Sequence, residues 1–275
     1  SIVLIIDYSG SQVAFIKKSI EAAKILVDKL APRDRMAIVT DDVKLLVNFT
    51  NDKALLKKEL DNLGGKPFKQ KFGRSAQYTA LVATLNEMFD EEDIRPIVIF
   101  QTDGDELLWL KGSVKMPLYY QRAYGIRNYS FEDVYDLVSK SRATIYSIIP
   151  GFRLIGLSQE EQLERTQSMY YEWAKINNEI WGTGYKRTLD KDELIRKANR
   201  SLQWQLALFE IAKLSGGYTD YIETPEDAEN VYANIFTVIN NRYVIGYYPT
   251  NEEGNGKRHN VKIEVKGHPE YTVMG

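Results

Sequence analysis

The amino-terminal part of the 275-residue chain is a run of five apolar residues, Ile2–Ile6, that stops at Asp7. A strand built only from apolar residues has no polar face, so it must be covered on both sides. Strands of this kind occur in parallel sheets that carry helices on each face. The run therefore predicts an α/β fold with a buried central strand that ends in a carboxylate.

Strand and helix patterns alternate along much of the chain. Apolar residues recur every three or four positions between Ile16 and Leu30, which indicates a helix that ends before Pro32. Further strands are predicted at Met36–Thr40, Val43–Val47, Pro96–Phe100 and Ala143–Ile149, and further helices around Leu56–Leu63, Leu81–Met88, Trp204–Ile211 and Ala228–Val238. The alternation predicts one domain, residues 1–275, with a doubly wound, Rossmann-like, mostly parallel sheet, flanking helices and one antiparallel edge strand.

Two connections and the carboxyl-terminal part depart from this plan. Segments at about 106–129 and 152–200 are too long for simple loops, and both follow parallel strands. Open α/β sheets bind ligands at the carboxyl ends of such strands, so we expect these insertions to lie at the functional rim. Alternating residues within about 243–266 predict a terminal β-hairpin.

Composition excludes several functional classes. The chain has no cysteine, which rules out disulfides, thiolate metal sites and cysteine nucleophiles. A formal net charge of −2 and the lack of a dense basic run give no electrostatic basis for nucleic-acid binding. No segment approaches the roughly 18 consecutive apolar residues of a membrane span. The sequence begins directly on a strand with no visible leader, which is compatible with trimming from a longer precursor.

Oxygen-bearing side chains follow the predicted strands at one rim of the sheet. Asp7, Ser9 and Ser11 follow the first strand, Asp103 follows the fourth, and Thr79 opens a rim helix. Taken singly, these are ordinary features: a turn that ends a strand, a Thr-Asp-Gly turn and a helix cap. Together they form an oxygen-only set that suits a hard divalent cation such as Mg²⁺, with one coordination position left for water or another molecule.

This pattern resembles the metal-ion-dependent adhesion site of von Willebrand factor type A domains, in Asp7-Tyr8-Ser9-Gly10-Ser11, Thr79 of Thr-Ala-Leu and Asp103 of Thr-Asp-Gly. The resemblance implies that Ser9 and Ser11 coordinate Mg²⁺, or Mn²⁺ or Ca²⁺, through their hydroxyls. It implies that Thr79 binds the cation directly or through water, while Asp7 and Asp103 act mostly through water. It also implies a protein partner whose carboxylate completes the coordination, as in cell adhesion.

The segments Tyr243–Pro249 and Lys262–Lys266 look like those of a bacterial branch of von Willebrand factor A-related proteins. That resemblance favours an extracytoplasmic location, which means secreted, periplasmic or at the cell surface. Two residues depart from the family pattern: Tyr8 replaces a small polar residue, and Gln12 replaces the usual methionine. Neither change removes a ligand, but a bulky Tyr8 would alter access to the site.

Two other functions remain open from the sequence. A Mg²⁺-dependent hydrolase or phosphoryl-transfer enzyme would use the same rim, but such enzymes commonly need a second acid where this chain has Ser9. The two histidines, His259 and His268, lie near the predicted terminal hairpin, far along the chain from the serines. A structural scaffold with a non-functional metal site is the second alternative. We therefore expect a non-enzymatic, metal-dependent interaction module.

Overall fold

The computed structural model describes residues 1–65, 75–89, 96–113, 125–186, 188–241 and 262–268. Its strands are β1 (Ile2–Ile6), β2 (Met36–Thr40), β3 (Lys44–Thr50), β4 (Ile97–Gln101), β5 (Thr144–Pro150) and β6 (Thr219–Ile222). They form one sheet in the order β3-β2-β1-β4-β5-β6, in which β3 pairs antiparallel with β2 and the other pairs are parallel. The predicted α/β fold with an antiparallel edge strand is confirmed.

Helices cover both faces of this sheet. In the described residues they are α1 (Ile16–Asp28), α2 (Lys53–Gly64), α3 (Gln77–Glu87), α4 (Phe131–Lys140), α5 (Gln159–Trp181), α6 (Lys191–Leu214) and α7 (Asp227–Asn240). Helices α1, α2 and α7 pack on the face that receives Ile2, Leu4 and Ile6 of β1. Helices α3, α4 and α6 pack on the face that receives Val3 and Ile5. The first strand is thus buried on both sides, as its apolar run predicts.

The segment between β5 and β6 holds the largest difference from the sequence prediction. Helix α5 fills the first half of the predicted 152–200 insertion, and α6 continues without a break into the helix predicted around Trp204–Ile211. Strand β6 and helix α4 were not predicted from the sequence. The start of α4 does have a sequence signal. Ser130 and Asp133 form a capping box, and the buried Val134 follows it.

Parts of three predictions lie outside the described residues. The terminal hairpin at about 243–266 is described only from 262 onward, where the chain is exposed, and residues 114–124 of the first insertion are not described. His259 also falls outside these ranges. Among the described helices, none is both long enough and apolar enough to cross a lipid bilayer.

A buried glutamine at the end of β4 links two helices beneath the rim. Gln101 Nε2 donates to the backbone oxygen of Ser19 in α1 at 2.9 Å, and its Oε1 accepts from the hydroxyl of Tyr232 in α7 at 2.8 Å. Gln101 and Tyr232 are fully buried. Burial raises the pKa of the Tyr232 phenol, so the hydroxyl keeps its proton and remains a donor. These two bonds connect both helices to the strand that leads into Asp103.

Removal of the Tyr232 hydroxyl would leave the buried Gln101 oxygen without its donor. We therefore expect Tyr232→Phe to lower the free energy of unfolding by about 1–3 kcal/mol. Tyr171, by contrast, is 39% exposed at the surface of α5. The matched variant Tyr171→Phe should change the free energy by less than about 0.5 kcal/mol. Urea denaturation measures both values, and equal stabilities of the two variants would contradict this role of Gln101.

Candidate metal centre

The register of the sheet decides which side chains meet at the rim. Ile6 pairs with Thr40 of β2 and with Gln101 of β4, so the residues after these three lie side by side. The backbone continues this alignment past the strands, since Asp7 N donates to Gln101 O at 3.0 Å and Asp41 N donates to Ile6 O at 3.1 Å. Asp7 and Asp41 are therefore fixed at the carboxyl ends of adjacent strands.

Three carboxylates converge at this rim: Asp7, Asp103 and Asp105. One oxygen of each lies within 4.8 Å of the others. No lysine or arginine of the described ranges lies within 4 Å of any of them. Negative charges gathered in this way repel one another and are stabilised by a cation placed between them.

Burial and this repulsion together raise the pKa values of two of the carboxyl groups. Burial first, and repulsion from Asp7 second, raise the pKa of Asp103 to about 6. The pKa of Asp105 is raised well above its ordinary value by burial and by repulsion from Asp103 and Asp7. The polar side chains of Gln12 and Ser11 near Asp103, and of Gln77 and Ser11 near Asp105, oppose these rises in pKa. The ionised cluster is thus costly without a compensating positive charge.

The two predicted serine ligands lie beside Asp7. Ser9 N donates to Asp7 Oδ1 at 2.9 Å, and the hydroxyl oxygens of Ser9 and Ser11 are 2.9 Å apart. The second oxygen of Asp7 accepts from Thr102 Oγ1 at 2.7 Å and from Gln77 Nε2 at 2.8 Å. Asp7 is held by these three donors, and both hydroxyls are adjacent to the carboxylate cluster.

Thr79 lies in a neighbouring hydrogen-bond network. Its Oγ1 donates to Glu106 Oε1 at 2.6 Å, and its backbone nitrogen donates to Glu106 Oε2 at 3.0 Å. Glu106 is fully buried and also accepts from Arg127 Nε at 2.6 Å, while the Tyr129 hydroxyl bonds to that of Thr79. The Thr79 hydroxyl is thus engaged by Glu106 and Tyr129, and its role as a metal ligand stays a prediction.

Two members of the site were missed from the sequence. Gln77, in the first turn of α3, donates from Nε2 to Asp7 at 2.8 Å and to Asp105 at 2.7 Å, so it bridges two of the three carboxylates. The Asp-Gly-Asp spacing of residues 103–105 could have indicated Asp105, because it repeats a carboxylate at the same strand end. No local signal marks Gln77, whose contact with Asp7 joins parts of the chain 70 residues apart.

The buried side-chain oxygen of Gln12 indicates whether the residues of this site suit a hydrated cation. It is 2% exposed, and its Oε1 has no hydrogen-bond partner in the described part of the chain. It lines the same cavity as Ser11 and Asp103. An unpaired buried acceptor costs about 1–3 kcal/mol, and water bound to a cation is a donor that would satisfy it. The carboxylates, the hydroxyls and this acceptor together fit a hydrated divalent cation.

No known family profile matches the sequence, and no curated protein matches it. Three solved structures illustrate what the chain is similar to. A von Willebrand factor type A structure from Catenulispora acidiphila is 15% identical with a TM-score of 0.47, and the match covers 85% of this chain and 41% of that one. The conserved hypothetical protein BatB from Bacteroides thetaiotaomicron is 14% identical with a TM-score of 0.47, and the match covers 87% and 98%.

The third structure is the vWF domain of the type V pili tip protein Mfa5 from Porphyromonas gingivalis. It is 14% identical with a TM-score of 0.49, and the match covers 89% of this chain and 97% of that one. Two of these three proteins are von Willebrand factor A structures.

The raised pKa of Asp103 gives the site a pH dependence of defined sign. A cation binds the ionised carboxylate, so we expect Mg²⁺ affinity to fall as the pH drops through about 6. Without metal the effect on folding is opposite, because the folded state holds this proton more tightly than the unfolded chain. That contribution to stability is complete below the unfolded pKa of about 4 and is lost as the pH rises through about 6.

Isothermal titration with Mg²⁺ and thermal melts of the metal-free protein, both between about pH 5 and pH 7.5, measure these two slopes. Asp103→Asn cannot ionise at this position, so its slopes should be shallower than those of the wild type. Parallel pH profiles for the two proteins would contradict the assignment of the titration to Asp103.

Proposed function

We propose that this chain is a divalent-cation-dependent protein-binding module whose bound cation bridges to an acidic group of a partner. One observation carries the proposal: three carboxylates meet beside two serine hydroxyls, with no lysine or arginine of the described residues within 4 Å of them. A purely structural turn does not need such a cluster, and burial makes it costly. A cation removes that cost and provides a binding position.

The ligands proposed for the cation are the hydroxyls of Ser9 and Ser11, with Asp7 and Asp103 acting mostly through water. Asp105 adds a third carboxylate to this set. All these donors are oxygens, which suits Mg²⁺, Mn²⁺ or Ca²⁺ better than softer metals. When bound, the cation supplies a Lewis-acidic position that accepts a carboxylate. The protein residues fix its place, and Gln77 and Thr102 orient Asp7 from behind.

The proposed partner is a protein that offers a glutamate, an aspartate or a terminal carboxylate. We infer that this interaction takes place outside the cytoplasm, at the cell surface, in the periplasm or after secretion. The support for this location is the sequence resemblance to bacterial von Willebrand factor A-related proteins. Fractionation of the source cells, followed by immunodetection of the chain, tests it.

A melting experiment tests the cation site directly. Mg²⁺ or Mn²⁺ should raise the melting temperature, because a ligand at a hundredfold excess over its Kd stabilises the native state by about 2.7 kcal/mol. Asp7→Ala should abolish the shift. Asp61→Ala removes a surface carboxylate of α2 whose side chain is 59% exposed, and it should leave the shift intact. Equal responses of wild type and Asp7→Ala to metal and chelator would contradict the metal site.

The same experiment decides the role of Thr79. Thr79→Val keeps the shape of the side chain and removes its hydroxyl, so we expect the Mg²⁺-induced shift to shrink if Thr79 is a ligand. Tyr129→Phe removes the other partner of that hydroxyl and leaves Thr79 itself in place. A shift that is unchanged in Thr79→Val would show that this threonine serves only the Glu106 network.

Capture of the partner tests the function itself. Immobilised protein is incubated with extract of the source organism in Mg²⁺, and bound proteins are eluted with EDTA. We expect a partner that the wild type retains and Asp7→Ala does not. Metal-dependent hydrolysis of generic phosphate or ester substrates that disappears in Ser9→Ala would instead assign the hydrolase alternative, which no observed contact favours.

A further inference from the structure

A cavity of about 300 Å³ opens directly beside the proposed cation position. Its floor includes Gly10, Ser11 and Asp103, which belong to the metal site. Its walls come from the segment between β5 and β6 and carry several large apolar and aromatic side chains, among them Phe152, Met169, Tyr170, Trp173 and Trp204. A volume of this size lies at the lower end for ligand pockets, so it suits one large side chain and not a whole cofactor.

One wall of this cavity is bonded to the cation-binding loop. Trp173 Nε1 donates to the backbone oxygen of Gly10 at 3.3 Å. The Trp173 ring stacks on Tyr170, with centroids 5.7 Å apart, and its centroid lies 4.9 Å from that of the tilted Tyr185 ring. The aromatic surface and the Ser9–Ser11 loop are therefore held in a fixed relation, as a two-part binding site requires.

Lys197 brings positive charge to the same cavity. Its ammonium nitrogen lies 5.3 Å from the ring centroid of Tyr170 and 5.8 Å from that of Trp173. No carboxylate in the described ranges lies within 4 Å of it. Burial first, and repulsion from Arg200 second, lower the pKa of Lys197, and the negative charge of Asp103 opposes that change. An ammonium that is partly buried against aromatic faces gains from an incoming anion.

We propose that this cavity is a specificity subsite for a partner segment in which an acidic residue adjoins a large apolar residue. The apolar side chain fills the cavity against Met169 and Trp173. The neighbouring carboxylate lies between the cation and Lys197. The inference rests on the proposed function, because it takes the cation position from it.

Charge explains why the two halves of the ligand must act together. In the absence of a cation, the three carboxylates of the rim repel an acidic group, and the positive charge of Lys197 alone does not offset them. With a divalent cation bound, the two positive partners balance the cluster, and a carboxylate is accepted. Binding of the acidic residue should therefore require the cation, whereas the apolar neighbour selects among acidic segments.

A displayed library of random heptapeptides tests this subsite on the whole chain. Peptides are bound in Mg²⁺ and eluted with EDTA. We expect the eluted pool to be enriched in sequences that place Asp or Glu next to Phe, Trp, Leu or Met. Synthetic versions of an enriched peptide are then compared with analogues in which the acid becomes its amide or the apolar neighbour becomes Gly. Each change should weaken binding by about tenfold or more.

Three variants locate the contact. Lys197→Met keeps an unbranched side chain and removes the charge, so it should weaken peptide binding by about fivefold or more without reducing the Mg²⁺-induced melting shift. Met169→Ala should weaken the binding of peptides that carry a large apolar residue more than it weakens the binding of the Gly analogue. Lys186→Met, at an exposed position outside the cavity lining, should bind as the wild type does.

The outcomes separate the subsite from the cation site. A normal melting shift with no EDTA-eluted enrichment, or with enrichment of acidic residues beside any neighbour, would overturn the subsite and leave the cation site standing. Equal effects of Lys197→Met and Lys186→Met would also overturn it. A wild-type protein that shows no melting shift with Mg²⁺ would overturn the proposed function, and the subsite with it.

Discussion

The in-register parallel pairing of β1 with both neighbours is the constraint on which the site depends. Because Ile6 is level with Thr40 and Gln101, the residues that follow these strands leave the sheet at the same height. A register slip of one residue would exchange the side chains that β1 presents to the two cores and would move Asp7 relative to the ends of β2 and β4. The pattern of side chains that closes the cores therefore also determines where Asp7 and its neighbours meet.

Stability and binding chemistry oppose each other at this rim. Asp41, fully buried next to Asp7, also has a raised pKa because of burial and repulsion from Asp7, although it accepts bonds from the backbone nitrogens of Tyr8 and Ser75. The carboxylates are costly in the absence of a cation, and the two cores that flank the sheet must offset that cost. A rim held in place by packing can keep a repulsive arrangement of charges that a flexible loop would relax.

The sequence allowed prediction where the signal was local. The apolar run Ile2–Ile6 predicted a strand buried on both faces, and residues directly after strands were placed at the rim by topology alone. Strand β6 was missed in the sequence because Thr219–Ile222 is only four residues long and mixes polar with apolar side chains. The hydrogen bonds from Gln77 to two carboxylates and from Thr79 to Glu106 join distant segments of the chain. Periodicity and motif spacing do not encode such contacts.

The position of α5 and α6 in the chain has an evolutionary consequence. These helices lie between β5 and β6 in the chain, whereas the carboxylates follow β1, β2 and β4, so the cavity-lining residues of α5 and α6 belong to a different segment from the carboxylates. The hydrogen bond from Trp173 to Gly10 is a contact through which they reach the serine loop. Mutation of those cavity-lining residues can thus change the shape of the cavity while the carboxylates of the rim are inherited unchanged.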